Sequence, residues 1–375
     1  MNFMKILVTG SEGFIAKNLI KKLEEQEIHE VLKYNKSSSI DKLKSLLNEA
    51  EFIFHLAGVN RPKDTDDFII GNVEFTKLII DHLVSIDNII PIVFTSSIQA
   101  NLDNPYGKSK LNAENLLIDY SKLNNTTAYI YRLPNVFGKW CKPNYNSAVA
   151  TFCYNISRDI PVKINDRDAN LSLVYIDDVC SSFLDIINSD NIQEHIFINI
   201  DEVYQTTVGE VVDLIKKFKE SRQTLITEKV GLQFERALYS TYLSYLDKEM
   251  FSYKIPTHSD ERGNFVEMLK TRDSGQFSFF TAHPGITRGG HYHHTKNEKF
   301  LILQGSAKFR FKNILSKDTY CMNVDSESYE IVETIPGWAH DITNTGSDDL
   351  IVMLWANEIF DESKPDTFSS EVGDE

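Results

Sequence analysis

Two groups of residues in this sequence have the types and spacing for chemistry. In Tyr106-Gly107-Lys108-Ser109-Lys110 a tyrosine and a lysine stand four apart, so on a helix they share a face. A neighbouring ammonium lowers a phenol's pKa from its usual value of about 10. Tyr106 would then be a usable acid at neutral pH, able to protonate a carbonyl oxygen while hydride is delivered to the carbon. In the second group His291 and His293 stand two apart, so on a strand both imidazoles point to one face. Glu298 falls on the neighbouring strand, within reach of the same point. A third feature, Thr9-Gly10-Ser11-Glu12-Gly13-Phe14-Ile15-Ala16, is a glycine turn between a strand and a helix. Its glycines let backbone amides approach a pyrophosphate at the positive end of the helix that follows.

These residues need elements to position them, and the apolar pattern predicts two kinds. Lys5–Val8, Val31–Tyr34, Phe52–Leu56, Ile89–Thr95 and Ala128–Arg132 read as strands, and the segments starting at Phe14, Ile40, Asp67 and Tyr106 read as helices. Such alternation predicts an α/β, Rossmann-like, doubly wound parallel sheet over residues 1–245. The pattern changes near residue 245. Phe265–Leu269, Phe277–Thr281, Phe300–Gln304, Ala307–Phe311, Tyr329–Val332 and Leu350–Trp355 read as short strands between turns. An all-β jelly roll over residues 250–375 follows, with an acidic tail from Asp361 expected to fray.

The first half resembles the extended short-chain dehydrogenase/reductases, which modify nucleotide sugars. Gly-x-x-Gly spacing around Gly10, Gly13, Phe14 and Ile15 is their cofactor turn, with Ala16 replacing the last glycine. His55-Leu56-Ala57-Gly58 is similar to their fourth-strand motif and Asn72-Val73 to their NV element. The resemblance implies that Leu56 and Ala57 line the cofactor, that Lys110 holds its ribose, and that Ser97, with Ser96 one place short, donates to the substrate carbonyl. Arg132 and Asn135, in Arg132-x-x-Asn135-x-x-Gly138, would hold the substrate's nucleotide half. Asp177 and Asp178 match an element that is largely architectural. An acid at the end of the second strand would select NAD; the strand here ends Tyr34-Asn35-Lys36, so Lys36 favours NADPH. Arg61, Lys139, Lys142 and Arg167 are candidate diphosphate partners.

The second half resembles the cupins. Gly285, His291, His293, Glu298 and Gly305 follow their first motif, and Gly337-Trp338-Ala339-His340-x3-Asn344 supplies a fourth ligand, His340, from the second. Three imidazoles and a carboxylate suit zinc, iron, manganese, nickel or copper; zinc is favoured, since reductive sugar chemistry needs no redox metal. Over nearly the whole chain, including Leu56–Pro62, Phe137–Ser147 and His293–Phe300, the sequence is similar to the CapF-type bifunctional enzymes of capsular polysaccharide and O-antigen synthesis. That resemblance implies epimerisation at C3 of a UDP-2-acetamido-2,6-dideoxy-4-ketohexose by the cupin. NADPH-dependent reduction at C4 would then give UDP-2-acetamido-2,6-dideoxy-L-talose, a precursor of N-acetyl-L-fucosamine. His294, Lys299, Tyr292 or a metal-bound water stand open as the cupin's base. Two other readings are a monofunctional enzyme whose cupin only dimerises the protein, and a nucleotide-sensing regulator.

Bulk properties agree. A net charge of −15 argues against nucleic acid or an anionic membrane as partner. An anionic UDP-sugar remains compatible, because a few local donors can hold a phosphate. Four cysteines without paired spacing and no leader-like N-terminal segment point to a cytoplasmic enzyme without membrane insertion, expected as a homodimer.

Overall fold

The computed structural model describes residues 3–187, 195–255, 257–260, 263–266, 269–271, 275–358 and 363–373. Packing divides the chain into two compact units, Met1–Ser147 with Leu171–Gln205, and Ala148–Asn170 with Thr206–Glu375.

The first unit opens with β1 (Lys5–Thr9), α1 (Phe14–Gln26), β2 (Glu30–Tyr34), α2 (Ile40–Glu49) and β3 (Phe52–His55). A short α3 (Asp66–Phe68) runs through a π-helical turn, Ile69–Glu74, into α4 (Phe75–Ser85). Then come β4 (Ile92–Ser97), a 3₁₀ turn (Ile98–Asn101), α5 (Pro105–Asn124), β5 (Ala128–Leu133) and β6 (Asn135–Phe137). After α6 (Ala148–Ser157), which packs in the second unit, follow β7 (Asn170–Tyr175), α7 (Ile176–Ile187), β8 (His195–Ile198) and β9 (Tyr204–Thr207).

Six strands form a parallel sheet in the order β2-β1-β3-β4-β5-β8. Strands β3 and β4 are buried along their whole length, as expected where helices cover both faces. The expected doubly wound fold is present. Only α2 separates β2 from β3, so among the described residues no strand extends the sheet beyond β2. The order reverses between β1 and β3, and doubly wound sheets bind ligands at the carboxyl ends of such a pair. Those two ends touch: at Gly10, φ +67°, an added Cβ would lie 2.8 Å from the Ala57 Cα.

In the second unit, α6 is joined by α8 (Val208–Thr224), β10 (Ile226–Thr227) and α9 (Gln233–Leu243). The strands β11 (Ser252–Lys254), β12 (Thr257–Asp260), β13 (Gly263–Val266), β14 (Lys270–Thr271), β15 (Gln276–Ala282), β16 (Thr287–Tyr292) and β17 (Glu298–Gln304) follow. The chain continues through β18 (Ser306–Asn313), β19 (Thr319–Asp325), β20 (Glu330–Glu333), β21 (Trp338–Asn344), β22 (Leu350–Ala356) and β23 (Phe368–Ser369). Two antiparallel five-stranded sheets, β11-β20-β17-β22-β15 and β19-β18-β21-β16-β23, make the expected jelly roll. Residues 267 and 268 of the strand read at Phe265–Leu269 lie outside the described residues.

Helices α8 and α9 close on the jelly roll through a buried charge cluster. Lys299 lies opposite Glu333 across β17 and β20, with Nζ 2.6 Å from the carboxylate. Arg222 of α8 lies 2.9 Å from the same carboxylate, and Tyr239 of α9 donates to it at 3.4 Å. Burying a carboxylate requires such partners. One expectation needs correction: the tail is not frayed over its described part, where β23 pairs with β16, Ser369 opposite His291 and Phe368 opposite Tyr292. A fragment of residues 250–375, lacking Arg222 and Tyr239, is therefore expected to melt well below one of residues 206–375. Thermal denaturation of the two fragments compares them directly; equal melting temperatures would contradict a stabilising role for the cluster.

Candidate functional site

In the first unit the reactive side chains gather at the carboxyl ends of β1, β3 and β4. Asn104 caps α5, its side chain accepting from the Gly107 amide at 2.8 Å, with Pro105 in the first turn. This fixes Tyr106 at the start of the helix and Lys110 one turn on. Gly107 is needed for that seat: a Cβ there would lie 2.1 Å from the Gln99 carbonyl oxygen. Lys110 is buried, donates to the Thr95 carbonyl at 2.9 Å, and has its Nζ 4.7 Å from the Phe94 ring centroid. Burial pushes its pKa down to about 8, against the pull of Glu114. The expected depression of the Tyr106 phenol is not found. Burial raises it, and the opposing influence is a hydrogen bond with Ser97. Ser97 also caps the 3₁₀ turn, accepting from the Gln99 amide at 3.2 Å. Ser96, the alternative, is buried without a hydrogen-bond partner for its Oγ among the described residues.

The glycine turn and the strand ends are tied together by a directional chain. The Ala57 amide donates to Thr9 Oγ1 at 3.2 Å, and Thr9 Oγ1 lies 2.8 Å from His55 Nδ1. His55 Nε2 lies 2.9 Å from Thr76 Oγ1, which donates to the Asn72 carbonyl at 2.6 Å. Since the Thr76 proton goes to a carbonyl, the imidazole proton sits on Nε2. Burial, then the charge of Lys110, drives His55 down to about 3, so it stays neutral. Asn72, inside the π-helical turn, donates to the Ser109 hydroxyl of α5 at 2.9 Å and accepts from the Val59 amide at 2.8 Å. It thus fastens the Leu56-Ala57 segment to the helix carrying Tyr106 and Lys110.

For a dinucleotide the fit is good. Helix α1 starts at Gly13 without a side-chain cap or an acid in its first turn, leaving amides of Phe14 and Ile15 for an anion. Lys36 is exposed in the turn after β2. Arg132 is more constrained than expected: Nε and Nη2 donate to the buried Glu114 at 2.6–3.2 Å and Nη1 to Asn101 at 2.8 Å. Its guanidinium still borders a cavity of about 310 Å³ with Ile98, Asn101, Phe197, Ile198 and Asn199. Asn135 is exposed on β6. Lys139 is no diphosphate partner, being buried 2.9 Å from Asp177, which explains the architectural acid. Arg167 pairs with Asp213, whereas Arg61 and Lys142 flank the Tyr145 ring.

In the second unit His291, His293, Glu298 and His340 converge, with their ligand atoms all within 4.8 Å of one another. His291 and His340 face each other across β16 and β21, next to a bulge at Gly289 and Gly290, φ +108° and +72°. Bulges re-aim side chains in this way. Glu298 starts β17 in the other sheet, and its Oε2 lies 3.3 Å from His293 Nε2 and 3.4 Å from His340 Nε2. His340 is buried, with no hydrogen-bond partner for Nδ1 among the described residues and its Nε2 facing Glu298 Oε2. Burial and the two neighbouring imidazoles push His291 down to about 4. Burial opposes the charged form of Glu298, but contact with His293 and His340 holds its pKa well below the usual range. His291 and His340, both pushed down by burial, and an ionised Glu298 are in the forms that bind a metal, so the donor set fits a divalent transition metal.

Three of the open candidates for the cupin base are turned away. Lys299 faces Glu333 on the opposite side of β17 from Glu298. Tyr292 and His294 pack with Phe368, ring centroids 5.5 and 5.0 Å away. Sequence reasoning gave no role to Lys296, within the His293–Phe300 stretch, whose Nζ lies 2.8 Å from Glu298 Oε1, nor to Glu114 and Asp366, which no motif marked.

A family model described as the NAD dependent epimerase/dehydratase family matches residues 6–200, and one described as the polysaccharide biosynthesis C-terminal domain matches residues 258–368. The chain belongs to the NAD dependent epimerase/dehydratase family. Within it, a UDP-2-acetamido-2,6-beta-L-arabino-hexul-4-ose reductase from Pseudomonas aeruginosa is 53% identical over 99% of this chain and 100% of its own. The crystal structure of the capsular polysaccharide assembling protein CapF from Staphylococcus aureus is 42% identical, with TM-score 0.66, over 98% of this chain and 100% of that one. The chain is of this CapF type. A Bacillus cereus UDP-glucuronic acid 4-epimerase in complex with NAD, 21% identical over 58% of this chain and 84% of that one (TM-score 0.51), shares the fold. No described helix is long and apolar enough to cross a membrane.

The buried lysine gives this epimerase/dehydratase unit a measurable pH signature. Between about pH 8 and 10.5 the unfolded chain keeps the Lys110 proton and the folded chain does not, so stability rises with pH across that window. Relative to Lys110→Met, the wild-type chain should gain on the order of 3 kcal/mol at most over it. Urea unfolding of both proteins at several pH values checks this; parallel curves would contradict a buried, depressed lysine.

Proposed function

We propose that this chain is a bifunctional nucleotide-sugar enzyme, with a ketoreductase site in residues 1–245 and a metal-dependent epimerase site in residues 250–375. The observation that carries the reading is the presence of two separate sets of reactive groups, Ser97–Tyr106–Lys110 and His291–His293–Glu298–His340. The substrate is a UDP-2-acetamido-2,6-dideoxy-4-ketohexose. Its C3 is epimerised and its C4 ketone reduced, giving UDP-2-acetamido-2,6-dideoxy-L-talose for polysaccharide synthesis. The relative from Pseudomonas aeruginosa, a hexul-4-ose reductase by name, supports the substrate class.

NADPH, when bound, supplies the hydride. Gly10, Gly13, Phe14 and Ile15 hold its pyrophosphate, Lys36 its 2′-phosphate, and Leu56 and Ala57 line it. Ser97 donates to the C4 oxygen and orients it. Tyr106 gives its proton to that oxygen, and its raised pKa keeps the proton in place until charge develops there. Lys110 orients the ribose and favours the phenolate left behind. Arg132 and Asn135 hold the nucleotide half, Arg132 through the N–H groups that Glu114 and Asn101 leave over.

Zinc is the metal we favour, and when bound it supplies Lewis-acid polarisation of the C4 carbonyl, which acidifies the C3 proton. The three histidines and Glu298 would hold it. Reduction then consumes the ketone, drawing a reversible epimerisation forward. We propose a cytoplasmic homodimer as the working form. A second reading is favoured by the ligand count, because four protein ligands complete a closed, structural zinc site; the C-terminal unit would then be a structural module.

Mass spectrometry in heavy water separates the two. Tyr106→Phe should lower NADPH consumption by roughly 10²–10⁴ while deuterium still enters C3. With His291 and His293 both replaced by alanine, deuterium entry should cease while an already epimerised ketone is still reduced. Full exchange in the double variant would make the metal structural. Loss of exchange in Tyr106→Phe would mean that the two sites are not independent.

A further inference from the structure

We propose that the C-terminal segment around Asp366 is the positioning element of the metal centre, and that it sets both the tautomer of His293 and the span between the two ligand strands. The proposal rests on the metal reading above and deepens it. His293 lies just past the end of β16 and Glu298 opens β17, so the turn of residues 294–297 determines the distance between two ligands. A turn of this kind has backbone amides that no sheet partner satisfies, and buried amides need acceptors. Asp366 supplies them. Its Oδ1 accepts from the His294 amide at 2.9 Å, and its Oδ2 accepts from the Thr295 and Lys296 amides at 2.6 and 2.7 Å. The Thr295 hydroxyl adds a further bond at 3.0 Å. Asn357 continues the pattern, its Oδ1 accepting from the Asn297 amide at 2.9 Å.

The same residue touches a ligand through its main chain. His293 Nδ1 is hydrogen-bonded to the Asp366 carbonyl oxygen. A carbonyl can only accept, so Nδ1 carries a proton, which leaves Nε2, 3.3 Å from Glu298 Oε2, as the nitrogen that would bind the metal. A hydrogen bond to the nitrogen that does not face the metal fixes both the tautomer and the orientation of a metal-binding imidazole. Two residues further on, β23 pairs with β16, Ser369 opposite His291. One short segment therefore holds the turn between two ligands, the ring of His293 and the strand of His291.

The test is zinc affinity, measured by competition with a chromophoric chelator on the full chain. Asp366→Ala should weaken zinc binding roughly 10–100-fold, the usual cost of losing an outer-shell partner. Asp366→Asn should fall between, because an amide oxygen still accepts but its nitrogen cannot. Removal of residues 363–375, which also takes away the carbonyl, should cost most. Lys364→Ala, at an exposed neighbour, should bind as the wild type does. Amide exchange of residues 294–296 in the metal-free proteins should speed up in both Asp366 variants. If Asp366→Ala fails to fold, Asp366→Asn decides. A folded Asp366 variant with wild-type affinity overturns the proposal, as does an equal loss in Lys364→Ala. A wild-type chain that takes up no zinc overturns the metal reading and the segment's role with it, whatever the exchange rates.

Discussion

Charge taken out of water must be met by another group, and that constraint organises both units of this protein. Lys110 is met by a carbonyl and a ring face, Arg132 by Glu114, Lys139 by Asp177, and Glu333 by Lys299 and Arg222. Each pairing joins elements distant in sequence, so the partners act as cross-links as well as counter-charges. Breaking one leaves a buried charge uncompensated, which costs far more than the intact pair contributes. Most of these residues are consequently parts of the scaffold, whichever motif they belong to.

The two reactive sets answer the constraint differently. Around Tyr106 the answer is a graded one: burial lifts the phenol and lowers the lysine, while Ser97, Thr95 and the neutral His55 hold the geometry. The phenol thereby keeps its proton, and the lysine's pKa falls to about 8. Between the jelly-roll sheets, three imidazoles and a carboxylate crowd together, and Lys296 balances one oxygen of Glu298. His340 Nδ1 has no hydrogen-bonding partner among the described residues. Bringing such donors together in a dry site is unfavourable unless a cation completes it.

Much of this was legible in the sequence because local rules sufficed. A glycine turn between a strand and a helix, Tyr106 and Lys110 on one helical face, and His291 and His293 one strand repeat apart are all short-range patterns. The four candidate ligands are found together, and the parallel sheet and jelly roll follow their hydrophobic periods. What was not legible depends on long-range pairing. Nothing near Glu114 marks it as the partner of Arg132, and nothing near Asp366 marks a tail residue as the anchor of a turn some seventy positions earlier. Helices α8 and α9 read as continuations of the first fold, yet Arg222 and Tyr239 reach Glu333. The depression assigned to the Tyr106 phenol was also misjudged, since spacing gives proximity to a cation but not the opposing cost of burial.

The claim that depends most on tertiary placement is that the four convergent side chains are a metal centre. X-ray data collected on either side of the zinc absorption edge, from crystals of the full chain purified without chelators, test it most directly. The expected result is one anomalous peak per chain, within bonding distance of His291, His293, Glu298 and His340. A peak bonded elsewhere, or none at this cluster in zinc-supplemented protein, would contradict the account.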